Sequence, residues 1–359
     1  MLLQQQIRRR SSQVKKTIKE ANALKTEILG IDGASLDRAA SLLTEGQVVA
    51  IPTETVYGLA ANAFDEAAVR KIFEAKGRPA DNPLIVHIAD VSELERLSPE
   101  VPELAYECAE RFWPGPLTMI LPKADIIPSV TSGGLDTVGI RMPADKTARA
   151  VIKRCGFPLA APSANLSGSP SPTAYRHVYE DMNGRVSAII DGGDCSVGVE
   201  STVISFDGDK IRILRPGFVS PDDLSEVAET IVDKGVLEQL SPDAVVRSPG
   251  MKYKHYAPKA DVTIIDSDRD SFISYVRKNA DEATMLLVFS EADCKGLDMG
   301  FVRYGDTSEE QAKKLFTALR TLDELGAERV YARCPEKSGV GLAVYNRLLR
   351  AAGFKAVKL

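Results

Sequence analysis

The chain has 359 residues, with 45 Lys+Arg against 50 Asp+Glu and a formal charge of −5. At about 150 residues per domain, this length predicts two domains, each able to bury its own core. A content of 44% hydrophobic and 26% charged residues excludes a disordered chain, a collagen-like repeat and a disulfide-stapled mini-fold. The near-neutral balance also disfavours a nucleic-acid coat.

The charge is uneven. Residues 1–26 carry seven Lys/Arg and one acid, Glu20, which leaves the rest of the chain near −11. This basic extension fits a transit peptide, an anion-binding arm, or a solvated helix after an upstream translation start. It lacks the apolar stretch and cleavage site of a secretory signal. The longest uncharged stretch, Cys155–Tyr175, holds four prolines and reads as a loop, not a membrane span. Five cysteines (Cys108, Cys155, Cys195, Cys294, Cys334) lie far apart without a CxxC, which predicts reduced thiols in the cytoplasm and no zinc knuckle. Cys195 sits in a glycine-rich loop with no histidine near it in sequence, so a nucleophilic role is disfavoured.

In chain order, helical periodicity over Ser35–Glu45 ends at Gly46, and the apolar run Gln47–Ile51 reads as a strand closed by Pro52. Further helices are predicted over Asp65–Ala75, Glu103–Phe112 and Lys146–Cys155. Strands are predicted over Leu84–Ile88, Leu117–Leu121, Thr137–Arg141, Leu159–Ala161, Ala188–Asp191, Thr202–Phe206 and Ile211–Leu214. The last two form a hairpin about Gly208-Asp209. This alternation predicts one α/β or α+β domain of mixed strand direction over residues 27–218. Residues 219–260 read as a linker, with a helix near Asp222–Lys234 and then a stretch too rich in Pro, Lys and Tyr for a core element. Beyond it, strands Asp261–Asp266, Met285–Ser290 and Arg329–Ala332 alternate with helices Phe272–Asn279, Ser308–Leu325 and Gly341–Ala352. That rhythm predicts a small Rossmann-like α/β domain over 261–359.

The chain carries no GxxxxGKS/T, complete GxGxxG, HExxH or GxSxG. Gly339-Val-Gly341 reads as a helix-start turn. Polar loops after short apolar strands stand out instead. Pro52–Leu59 places Thr55 where ligand pockets form at strand ends, or where a threonine merely caps the next helix. Lys76-Gly77-Arg78, followed by Pro79, Asn82 and Pro83, sets two cations about a glycine, with His87 on the next strand. Arg offers a fork to phosphate oxygens and Lys a point charge, although an exposed turn would carry the same residues. Ser132–Gly134 with Thr137 and Arg141, Ala161–Gly168 with Ser163 and Asn165, and Gly198–Val203 with Glu200 and Ser201 add hydroxyl, amide and charged groups. Glu200 suits a metal-bound water or a ligand amine. Arg215 supplies another cation. Together Lys76, Arg78, Arg141 and Arg215 would offset most of a nucleoside triphosphate's charge of about −4. A Mg²⁺ would be held mainly by the phosphates, with no protein metal site. The residues by themselves reach a phosphate-handling α/β enzyme without a P-loop.

PTETVYGL, KGRPADNPLIVH, WPGPLT, VGIRMP, APSANLSG, VESTV and ILRPG stand in an order and spacing similar to the threonylcarbamoyl-AMP synthases. SPGMKYKHYAP (248–258) resembles the linker of the long, two-domain Sua5 type, not the single-domain YrdC type. The resemblance covers about 30–355. It implies a YrdC-like twisted mixed sheet with flanking helices, plus a smaller Rossmann-like Sua5 C-terminal domain. It also implies that L-threonine, bicarbonate and ATP give L-threonylcarbamoyladenylate and pyrophosphate. A transferase of the Kae1/TsaD type would then modify adenosine 37 of ANN-decoding tRNAs, with tRNA met only indirectly.

By the same resemblance, Thr55, His87, Arg141 and Ser201 would contact threonine. Lys76, Arg78, Asn82, Thr137, Ala161, Ser163, Ser171, Arg215, His255 and Tyr256 would bind ATP. Lys76, Arg78, Ser163 and Asn165 would form the catalytic group, and the linker would fold over the pocket as a lid. A competing reading is an RNA-binding or ribosome-associated module with the basic extension as an arm. The 6% aromatic content and the lack of basic–aromatic alternation weigh against it. A carbamoyl-phosphate-dependent activity, as in hydrogenase-maturation proteins, is disfavoured by the missing CxxC pairs.

Overall fold

The computed structural model describes residues 24–80, 82–238 and 256–359. Most of the basic extension, Asp81, and residues 239–255 with His255 lie outside the described residues. Eleven strands form one mixed sheet: β1 (Glu27–Leu29), β2 (Val49–Ile51), β3 (Gly58–Asn62), β4 (Ile85–His87), β5 (Leu117–Pro122), β6 (Thr137–Arg141), β7 (Leu159–Ala160), β8 (Ala188–Ile190), β9 (Thr202–Asp207), β10 (Lys210–Arg215) and β11 (Thr230–Val232). Their spatial order is β1-β8-β2-β3-β7-β4-β6-β5-β9-β10-β11.

Helices α1 (Gly33–Thr44), α2 (Glu66–Lys76), α3 (Glu103–Phe112), α4 (Lys146–Cys155) and α5 (Tyr175–Met182) accompany the sheet. Leu36, Ala39, Leu42 and Leu43 of α1 share a core cluster with Val151 and Ile152 of α4. Val69, Ile72 and Phe73 of α2 join Ala105 and Cys108 of α3 in a separate one. Central strands β2 and β4 are buried along their whole length, as expected for strands covered on both faces.

A second, all-parallel sheet contains β12 (Asp261–Asp266), β13 (Thr284–Val288), β14 (Phe301–Arg303), β15 (Arg329–Arg333) and β16 (Ala356–Lys358), in the order β14-β13-β15-β12-β16. Its helices are α6 (Arg269–Asn279), α7 (Ser308–Glu324) and α8 (Gly341–Ala351). The core of this unit is continuous with the first: Val56, Val197 and Val199 cluster with Leu315, Phe316 and Leu319 of α7 and Leu348 of α8. At Gly198 (φ +86°) an added Cβ would stand 2.4 Å from the Lys313 Cα, so α7 lies directly on that backbone. Among the described residues, no helix is long and apolar enough to cross a membrane.

Some elements differ from the sequence expectation. The helix expected near Asp222–Lys234 is confined to Pro221–Ser225, where Ser220 and Asp223 form a capping box. The β-branched run Thr230–Val232 instead pairs parallel to β10, carrying the first sheet past residue 218. Gly58–Asn62, of which Gly58 and Leu59 fall in the loop read from the sequence and the rest in no expected element, is a strand between β2 and β7, where a Cβ on Gly58 would meet the Ala161 Cβ at 3.2 Å. The hairpin about Gly208-Asp209 forms as expected.

Candidate active site

One cleft gathers most of the polar loops. It encloses about 780 Å³ of space, partly open to solvent, and its lining includes Thr55, Lys76, Arg78, His87, Arg141, Ala161, Ser163, Asn165, Ser201, Arg215 and Tyr256. Several of these are placed by local devices. Asp65 caps the start of α2, and Gly77, left-handed at φ +62°, ends it so that Lys76 and Arg78 turn into the cleft. β4 and β6 run parallel with His87 opposite Arg141. A bulge between Ile213 and Arg215 re-aims the end of β10 toward Ser201.

Lys76 is buried, and its Nζ donates to the Ser163 carbonyl at 2.5 Å and the Asn165 carbonyl at 2.9 Å. Burial, reinforced by Arg78, pushes its ammonium down to about 7. Ser163 Oγ donates to Asn165 Oδ1 at 2.6 Å, and the Asn165 amide donates to the Leu166 and Ser169 carbonyls at 2.8 Å. Arg78 is half-buried and lies 5.9 Å from the Phe73 ring centre.

On the facing side, Arg141 Nη1 donates to Thr55 Oγ1 at 2.9 Å, Nε donates to the Gly115 carbonyl at 3.3 Å, and Nη2 stands 2.6 Å from Glu54 Oε1. Burial, the largest influence, favours a protonated Glu54, but Arg141 together with the backbone N–H groups of Ala144 and Glu54 outweighs it and holds the carboxyl below its ordinary range. His87 Nδ1 pairs with the Ile85 carbonyl at 3.1 Å, which makes that nitrogen the protonated one. Burial and then Arg141 push the imidazole down to about 3, so it is neutral at pH 7.

Ser201 Oγ pairs with Thr118 Oγ1 at 2.7 Å, and Arg215 donates to the Ser201 carbonyl at 3.0 and 3.1 Å and to its Oγ at 3.1 Å. Burial, then Arg347, lowers the Arg215 guanidinium to about 10. Ser171 is buried behind the lining, donating to Glu200 Oε1 at 2.5 Å.

Besides Ser171, two further expected contacts fall outside the cleft lining. Asn82 is buried beside the lining residue Pro83, and neither polar atom of its amide has a hydrogen-bond partner among the described residues. Thr137 lies two pleats from Arg141 on the same strand face, with Gly139 between, in a neighbouring recess lined also by Leu121 and Phe206. Glu200 is engaged by Ser171 and Arg347 rather than offered to a metal-bound water. Among the described residues, no group of three His, Cys, Asp or Glu could hold a metal. All five cysteines are free, and burial raises the Cys195 thiol, the direction opposite to that of an activated thiolate.

The sequence reading gave no role to Glu54 or Arg347. Glu54 is flagged by its position: a carboxylate inside a motif that must be buried needs a cation. Arg347 sits in an ordinary amphipathic helix and carries no such signal.

Comparison with known proteins agrees with this architecture. The Sua5–YciO–YrdC family profile, described as telomere recombination, matches residues 41–217, and the profile for the C-terminal domain of threonylcarbamoyl-AMP synthase matches 219–353. Among solved structures, Pyrococcus abyssi Sua5 complexed with L-threonine superposes with a TM-score of 0.86 at 44% identity, over 93% of this chain and 100% of that one. The fold is thus that of the two-domain Sua5 proteins. The threonylcarbamoyl-AMP synthase of Pyrococcus abyssi is 47% identical over 89% of this chain and 95% of its own length. That of Bacillus subtilis is 44% identical over 93% and 97%. The chain belongs to the threonylcarbamoyl-AMP synthase family, in its long, two-domain form.

Proposed function

We propose that the protein is an L-threonylcarbamoyladenylate synthase, a nucleotidyltransferase that uses L-threonine, bicarbonate and ATP. The observation that carries this reading is the convergence of Lys76, Arg78, Arg141 and Arg215 with the hydroxyls of Thr55, Ser163 and Ser201 around one cleft. Arg141, fixed by Glu54 and Gly115, would seat the threonine carboxylate, while Thr55, His87 and Ser201 shape the adjoining space. A neutral His87 serves there by fit and hydrogen bonding, not as an acid.

Lys76, Arg78 and Arg215 would take the triphosphate, with Ala161, Ser163, Asn165, Ser171 and Tyr256 fixing its surroundings. The unpartnered Asn82 amide supports a ligand contact at the edge of that region. Mg²⁺ would enter with the phosphates as part of the substrate. The threonine amine adds to bicarbonate-derived CO₂, losing a proton, and the resulting carbamate oxygen attacks the α-phosphorus as pyrophosphate leaves. Positioning and charge stabilisation carry such a displacement without a covalent enzyme intermediate.

The product would supply a Kae1/TsaD-type transferase acting on adenosine 37 of ANN-decoding tRNAs, in the cytoplasm, with tRNA met only indirectly. The test is formation of labelled threonylcarbamoyladenylate by the purified full chain from ATP, threonine and ¹⁴C-bicarbonate. The expected result is pyrophosphate release that depends on threonine. Salt-sensitive tRNA binding with no threonine-dependent turnover would overturn the proposal in favour of an RNA-binding module.

A further inference from the structure

The second domain reaches the cleft through a side chain that never touches its open space. Arg347, on α8, has a fully buried side chain. Its Nε donates to Glu200 Oε2 at 2.8 Å and its Nη2 to the Glu200 carbonyl at 3.3 Å. Nη1 donates to the carbonyl of Pro216 at 2.7 Å, the residue that follows Arg215, and to Asn346 Oδ1 at 3.0 Å. The guanidinium also lies 5.9 Å from the ring centre of Tyr256. Tyr256 packs in turn on Phe316 of α7, with ring centres 5.2 Å apart. One arginine therefore grips the residue before Ser201, the residue after Arg215, and an aromatic wall of the same cleft.

We infer that Arg347 is a positioning residue of the first domain's site, acting through Glu200 to hold Ser171, Arg215 and Tyr256 in the arrangement that receives the nucleotide. This rests on the synthase reading above. Two opposite charges in a dry interface are stable only as a pair, and here the two members come from different domains. With Arg347 removed, the Glu200 carboxylate loses one of the two cations that hold it ionised and is left to Arg215, with Lys76 also within electrostatic reach among the described residues. Drawing Arg215 toward it would take that guanidinium off Ser201. Without the carboxylate, Ser171 loses the acceptor that fixes its hydroxyl. Alignment of the second domain is thereby converted into geometry at the nucleotide.

The experiment measures kcat and the KM for ATP and threonine for wild type, Arg347→Lys, Arg347→Gln, Glu200→Gln and the Arg347→Gln/Glu200→Gln double variant. Thermal unfolding and ATP calorimetry are run on the same full-length proteins. The expected result is a KM for ATP raised about tenfold or more in Arg347→Gln and Glu200→Gln, with the double variant no worse than either single one. Arg347→Lys, which keeps the charge and loses the fork, should fall between and remain folded. A structural role alone would lower the active fraction, and so kcat, without moving the KM for ATP. Unchanged KM and ATP affinity in Arg347→Lys and Glu200→Gln would overturn the inference and leave the synthase reading standing. Wild-type protein that binds ATP without threonine-dependent turnover would overturn the synthase reading, and the ATP affinities would then decide the role of Arg347. No ATP binding by wild type would overturn both.

Discussion

The Glu54 carboxylate and the Arg141 guanidinium meet at 2.6 Å in a site from which both are almost excluded from solvent. Neighbouring Thr55 accepts a hydrogen bond from the same arginine at 2.9 Å, so the guanidinium that lines the cleft is held by an acid behind it and a hydroxyl beside it. Breaking such a pair by removing one partner costs about 3–5 kcal/mol, because the other charge is left buried. Glu54→Gln keeps the shape and loses the charge. It should cost about 3 kcal/mol in urea unfolding and raise the KM for threonine more than that for ATP. The pair also sets a pH dependence. The folded carboxyl lies below its ordinary value of 4.5, so its contribution is present above that pH and fades as pH falls through the lowered value. Wild type should lose stability over that acid range, and Glu54→Gln should lack that component of the loss.

Lys76 gives a second pH signature. Its ammonium titrates at about 7 against 10.5 for a free lysine, so at pH 8 the amine is mostly neutral. A triphosphate beside it would favour the charged form, and binding should then take up close to one proton. Calorimetry in buffers of different ionisation enthalpy reads that proton directly. Lys76→Met should bind ATP more weakly and abolish this component; equal proton uptake in the two proteins would remove Lys76 from the nucleotide site. The folded state binds fewer protons than the unfolded chain between about 7 and 10.5, so the Lys76 contribution makes stability rise with pH across that interval.

Much of this arrangement was legible because local signals agreed. Glu103–Phe112, Lys146–Cys155 and Asp261–Asp266 occupy their expected bounds, each a periodic or apolar run. The polar stretches about Lys76, Arg141, Ser163 and Ser201 were visible in the sequence, and the cleft unites them, although Lys76 closes helix α2, Arg141 ends β6 and Ser201 precedes β9. Gly58–Asn62 escaped because its glycine and alanines have low strand propensity, and Gly58 stands where a side chain would crowd Ala161. Arg347 escaped for a different reason. Its partner Glu200 is 147 positions away in sequence, and pattern within one helix carries no information about a contact across a domain interface.

Docking of the second domain depends on the absence of a side chain at Gly198. A methyl there would stand 2.4 Å from the Lys313 Cα and 2.6 Å from the Ala312 carbonyl oxygen, both backbone atoms that cannot swing aside. The positive φ adds backbone strain for any other residue. Gly198→Ala should therefore lower stability by about 2–3 kcal/mol. It should also raise the KM for ATP by shifting Arg347 relative to Glu200. Urea denaturation and steady-state kinetics together check this. A wild-type unfolding midpoint would show that α7 is not seated on this loop.

Arg78 separates function from folding. It follows the glycine that ends α2 and projects into the cleft, so an Ala there removes a cation from the expected triphosphate site without opening the main core. The sequence alone suggests an exposed loop cation. The side chain is half-buried and lies over Phe73, and truncation therefore costs some packing as well as charge. That cost should stay near 1 kcal/mol. If the guanidinium meets the phosphates as proposed, its loss should lower kcat/KM for ATP about 100-fold or more. Arg78→Lys, which keeps the charge and loses the fork, should recover only part of that activity. Steady-state pyrophosphate release alongside a thermal melt reads both effects, and wild-type turnover in Arg78→Ala would remove this arginine from the reaction.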